Sequence, residues 1–75
     1  MTTKNLFMSA DISSRGKRRK VIILVIDLLM RIRAAEQTLI DRMPLNLHGS
    51  TAYDTAEYAI DILDEVIDVI SSVYD

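Results

Sequence analysis

The stretch from Tyr53 to Tyr74 decides most of what this chain can become. Tyr53, Ala56, Ile60, Leu63, Ile67, Ile70 and Tyr74 are spaced 3, 4, 3, 4, 3 and 4, the repeat that keeps one stripe of a helix against a neighbour. Ala59, Val66 and Val73 run beside that stripe, and Ile62 and Val69 widen it. On a helical wheel the apolar arc spans roughly 160°, whereas a single neighbour covers ~100°. The remaining arc holds Asp54, Glu57, Asp61, Asp64, Glu65 and Asp68. The spacing therefore predicts a helix over 51–74 that touches at least two other helices.

Upstream, the strong punctuation is PLNLHGS, from Pro44 to Ser50. Pro44 lacks an N–H and disfavours helical backbone at Met43, so a first helix should end near Arg42 or Met43. Ser50 or Thr51 can cap the second helix, and Thr51 with Asp54 has the spacing of a capping box. The first helix is expected over 15–43, with Ser13 or Ser14 as its cap and Gly16 weakening its first turn. One face of it is apolar through Val21, Val25, Leu28, Leu29, Ile32, Ala35, Leu39 and Met43. The run VIILVI is apolar all round, with Ile23 and Ile26 pointing away from that face. Such a run is buried on all sides if helical; its β-branched residues also leave a buried strand open. The reading is an all-α, antiparallel two-helix hairpin over 14–75, with loop 44–50, preceded by a flexible arm over 1–13.

A chain of 75 residues without cysteine has a small core and no disulfide to reinforce it, and such domains commonly rely on a metal or on association. Its one histidine, His48, leaves little for a metal. Dimerisation of the hairpin into a four-helix bundle is the simplest way to cover the second helix. Val25, Leu29, Ile32, Ile60, Leu63, Ile67 and Ile70 are expected in the core or interface. Charge supports two helices that face one another. Residues 1–43 carry nine Lys and Arg and four acids, a net +5; residues 44–75 carry seven acids and no Lys or Arg, a net −7. Folding about the loop brings Arg31 near Asp64, Arg33 near Asp61 and Lys20 near Asp75, pairs that select register more than they stabilise.

The junction KRRKVIILVI, Lys17 to Ile26, admits several readings. A signal peptide is disfavoured because Asp27 interrupts the apolar run and Arg31 and Arg33 follow it. The run is too short to span a bilayer, and an interfacial anchor would lack a polar face. Arg15, Lys17, Arg18, Arg19 and Lys20 could neutralise phosphates of a nucleic acid, but no recognition motif accompanies them. The preferred reading is a basic helix start that pairs with acids of the second helix and leads into an oligomeric core.

No nucleophile–base set, phosphate-binding loop or metal-ligand spacing is present, so neither enzyme activity nor a cofactor is expected. Glu36 is unusual, lying within the apolar face of the first helix. It is expected to bond Tyr53, Tyr58 or Arg33, or to meet an arginine across an interface. Asp54, Asp61, Asp68 and Asp75 recur every seven residues on the outside of the second helix, with Tyr58 among them, a solvated face or a docking surface for a basic partner. The chain is thus expected to be a cytoplasmic, non-enzymatic protein–protein interaction module acting as a homo-oligomer. The alternatives are a nucleic-acid-binding regulator using the 15–20 cluster, and a secretion-type co-chaperone that folds on a different protein.

Overall fold

A computed structural model describes residues 10–74. Two α-helices, α1 (Arg15–Asp41) and α2 (Thr51–Ile70), pack antiparallel about a loop that contains one turn of 3₁₀ helix, Leu45–Leu47. No strand occurs among the described residues. Val21 to Ile26 lies within α1, so the run of β-branched residues is helical in spite of its strand propensity. Most of the predicted arm, 1–9, falls outside the described residues.

Each helix starts on a serine. Ser14 is extended, at φ −134° and ψ 163°, and its Oγ accepts from the Lys17 N–H at 3.2 Å. Ser50 is likewise extended, and its Oγ accepts from the Tyr53 N–H at 3.2 Å. These bonds satisfy amide donors that have no partner within the helix. Because Ser50 takes the cap, Thr51 is the first helical residue and the Thr51–Asp54 capping box does not form. Asp54 still lies in the first turn, where its charge complements the helix dipole.

α1 ends at Asp41, two residues before its expected end. The Arg42 N–H bonds back to the Thr38 carbonyl at 3.1 Å and the Met43 N–H to the Ile40 carbonyl at 3.1 Å, which tightens the last turn. Pro44 then turns the backbone to φ −61° and ψ 152°. His48 fastens the loop: its Nε2 lies 3.1 Å from the Met43 carbonyl, and its ring stacks on Tyr53 at 4.6 Å between centroids. α2 ends at Ile70, and residues 71–74 continue as turns. There the Ser71 hydroxyl donates to the Ile67 carbonyl at 2.6 Å, a local bond that competes with further helix.

The seam between the helices is narrow. Ala56, 2% exposed, and Ile60, 7% exposed, are the buried apolar residues among those described. Around them Val25, Leu29, Leu63, Ile67 and Ile70 are half-buried. The small side chain at Ala56 fits the close approach of the helices, and Ile60 sits one turn further along the same stripe. No helix among the described residues is long and apolar enough to cross a membrane.

Candidate interaction surface

The face that α1 turns toward α2 differs from the expected one. Ile22, Ile26, Leu29 and Arg33 recur every three or four residues, Ile40 follows seven residues later, and all are half-buried. Ile26, expected to point away, lines a groove with Ile22, Ile70 and Tyr74. Arg33 reaches Asp64 through a two-toothed bridge whose longer arm, Nη2 to Oδ2, is 3.2 Å. The other apolar stripe of α1, through Val21, Leu28, Ile32, Ala35 and Leu39, lies about a quarter turn away, since successive residues rotate by about 100°. Ile32 is 50% exposed, and Leu39 is similarly open. The sequence showed the width of the apolar arc on α1 but gave no means of choosing which part of it meets α2.

α2 repeats this arrangement. Ala56, Ile60, Leu63 and Ile67 turn toward α1, and Ala59 and Val66 lie about a quarter turn away. Ile62 and Val69 extend that second stripe outward, with Val69 68% exposed. The displacement has the same rotational sense on both helices when each is viewed along its own direction. The helices run antiparallel, so both uncovered stripes fall on one side of the hairpin. That side carries Ile32 and Leu39 from α1 and Ile62, Val66 and Val69 from α2, all exposed. Along α2 it deepens into an open groove of about 370 Å³ lined by Ile62, Glu65, Val66, Val69 and Ile70.

The opposite side is mainly polar. Gln37, Tyr53, Glu57 and Asp61 line a cleft there, and the Arg33–Asp64 bridge crosses it. Exposed Ile23 and Met30 interrupt that polarity on α1. Burial, followed by the nearby Glu57 and Asp54 carboxylates, pushes the Tyr53 hydroxyl above its ordinary pKa. The Arg33 guanidinium holds the Asp64 carboxyl below the usual carboxylate range, against a smaller opposing effect of burial. The same hydrogen bond raises Arg33.

The charge register also differs from the expected one. Arg31 bonds its own-helix neighbour Asp27 at 2.7 Å, not Asp64. Asp64 is taken by Arg33, which therefore does not pair with Asp61. The expected Lys20–Asp75 pair involves a residue outside those described. Glu36, half-buried beside the apolar side, has no hydrogen bond to Tyr53, Tyr58 or Arg33. Tyr53 is stacked on His48, Tyr58 is exposed on the outer surface, and Arg33 is committed to Asp64. Asp54, Asp61 and Asp68 are exposed along α2.

The basic cluster is exposed, and most of it is engaged within the chain. Lys17 bonds Asp11 at 2.7 Å and holds that carboxyl at a pKa of about 2. Arg18 donates to the Ile12 carbonyl at 3.0 Å. Arg19 donates to the Tyr74 carbonyl at 2.5 Å, and the Arg15 guanidinium lies 5.3 Å from the Tyr74 ring centre. Four positive side chains thus grip the chain's own turns, and those of Arg15 and Arg19 tie the start of α1 to the residues that follow α2. This positive cluster is unfavourable at the N-terminus of its own helix and favourable beside the C-terminal end of the neighbouring one.

Among the described residues, no group of three or more His, Cys, Asp and Glu side chains could hold a metal ion. The geometry offers a two-helix layer with one apolar side. No protein-family model, curated protein or solved structure matches the chain.

Proposed function

We propose that this protein is a non-enzymatic, cytoplasmic protein–protein interaction module that acts through the apolar side of its hairpin, in a self-associated form such as a four-helix bundle. One observation carries the reading. The hairpin buries Ala56 and Ile60, while Ile32, Leu39, Ile62, Val66 and Val69 remain exposed on one side. Domains ordinarily consist of at least two packed layers, and the described residues supply one. Large contiguous apolar patches on monomeric proteins are unusual and mark association surfaces.

Sedimentation velocity over about 1–100 μM, a range spanning ordinary protein–protein affinities, tests the reading. The expected result is a concentration-dependent shift from monomer to oligomer. Ile32→Arg and Val69→Arg, at positions already exposed in the hairpin, should abolish that shift while preserving helical circular dichroism at high protein concentration. A folded wild-type monomer throughout the range, with both variants unchanged in state and stability, refutes it.

A further inference from the structure

We infer that the occupant of the apolar side is a second copy of this chain, stacked with both loops at the same end, so that α1 of each protomer lies on α2 of the other. This rests on reading that side as an association surface, and it adds the partner and its orientation.

The area suits a second copy. Five large apolar side chains on this side are 41–68% exposed. They lie on two helices, each at least ~30 Å long at 1.5 Å per residue. The layer therefore offers several hundred Å² of apolar surface per protomer, approaching the ~800 Å² that each partner contributes to a standard interface. The patch also runs along both helices, as the stacking of two layers requires.

Charge then chooses the orientation. α1 carries seven basic and three acidic side chains, whereas α2 carries six acidic side chains and no Lys or Arg. Two hairpins can stack face to face with a twofold axis in the plane between them in two principal ways. With the loops at opposite ends, α1 lies on α1 and α2 on α2, which makes the two acidic helices neighbours and puts both Glu65 side chains, the carboxylates beside the apolar groove, on the same edge. With the loops at the same end, each α1 lies on the partner's α2, and the basic helix gains an acidic neighbour on two sides. Both arrangements bury the same apolar residues, and both place neighbouring helices antiparallel. Charge is therefore what separates them, and like-charge juxtaposition is the costly one.

The intramolecular bridge fixes the relative level of the two helices. With Arg33 opposite Asp64, Arg31 lies at about the level of Glu65. Both are exposed on the outer edges of their helices. Glu65 also lines the α2 groove. In the same-end dimer these two edges become neighbours across the interface; in the opposite-end dimer they lie on different edges.

The chain has no cysteine, so a single introduced thiol reports orientation. Gly49 lies in the loop, and a Cβ added there meets nothing within 4 Å. Spin labels on Gly49→Cys should lie within about 30 Å of one another in the same-end dimer. They should be more than about 40 Å apart if the loops are at opposite ends, since α1 alone is ~40 Å long at 1.5 Å per residue. Sedimentation equilibrium of charge-reversed chains provides a second test. Arg31→Glu and Glu65→Arg should each weaken dimerisation about tenfold at ~50 mM salt, where screening is weak, and the double variant should return to within about threefold of wild type.

A dimer with the long spacing, or one whose double variant shows no rescue, overturns the orientation and leaves self-association standing. A folded monomer at 100 μM overturns the second copy as occupant and removes the self-association reading with it. If deleting residues 1–9 from such a monomer then produces a dimer, the occupant is the chain's own amino-terminal segment, which equally overturns the proposal.

Discussion

Arg33 and Asp64 form the one side-chain ion pair that joins the two helices among the described residues, and they do so with both nitrogens of one edge of the guanidinium. A forked bond fixes direction as well as distance. It therefore sets the level of one helix against the other, which a seam of small and aliphatic side chains leaves loosely defined. The Asp64 carboxyl is held below its ordinary value mainly by this hydrogen bond. A depressed carboxyl stabilises the fold above its unfolded pKa and ceases to do so as pH falls through the folded value. Asp11, held at about 2 by Lys17 and Ser13, acts in the same sense. The urea midpoint should therefore fall between about pH 4 and pH 2, and Asp64→Asn should flatten part of that dependence. A midpoint independent of pH across this window would remove the bridge from any role in stability.

Ile60 is the large side chain most fully sealed in the seam. Ile60→Ala should destabilise by about 2–5 kcal/mol, the usual cost of truncating a buried isoleucine. Val69→Ala, at an exposed position, should alter the stability of the isolated hairpin far less. Chemical denaturation at matched protein concentration separates the two, because association contributes to apparent stability. Equal losses would mean that Val69 is buried in the species being unfolded.

Ser50 and Ser14 each accept one amide hydrogen bond at a helix start. Ser50→Ala should cost about 1 kcal/mol, and Ser50→Asp should retain most of the cap. Thr51→Ala should cost less, since Thr51 stands inside the helix and not at its cap. Thermal unfolding of the three variants checks the assignment, and the reverse order would return the cap to Thr51.

Neither glycine adopts a positive φ, and an added Cβ meets nothing within 4 Å at either position. Glycine is therefore used at both sites without a conformational need. Gly16→Ala, in the first turn of α1, should stabilise by about 0.5–1 kcal/mol, and Gly49→Ala by a comparable or smaller amount. Loss of stability at Gly16 would indicate that this surface is closely covered in the associated state.

The helical hairpin is legible in the sequence because Pro44 and the 3–4 spacing from Tyr53 to Tyr74 are local signals with few structural solutions. The seam on α2 is legible for the same reason. α1 is harder to read: its apolar residues cover two adjacent stripes, and periodicity identifies the whole arc without saying which stripe lies on α2. That ambiguity explains why Ile26 turns inward while Ile32 stays open. Pairing was also hard to anticipate, since Arg31 and Arg33 both have acids within reach, and a shift of a residue or two in register decides between them. The paired apolar side needs three dimensions: the rotation of each stripe away from the seam matters only once the helices are known to run antiparallel.

The thin interior built on Ala56 and Ile60 carries a consequence for how such a chain persists. A protomer with so little sealed inside gains stability from any occupant of its open side by mass action, and proteases act on whatever fraction is open. Were that occupant a second copy, survival would rise with the chain's own abundance: scarce copies would be trimmed away, and plentiful ones would shelter each other.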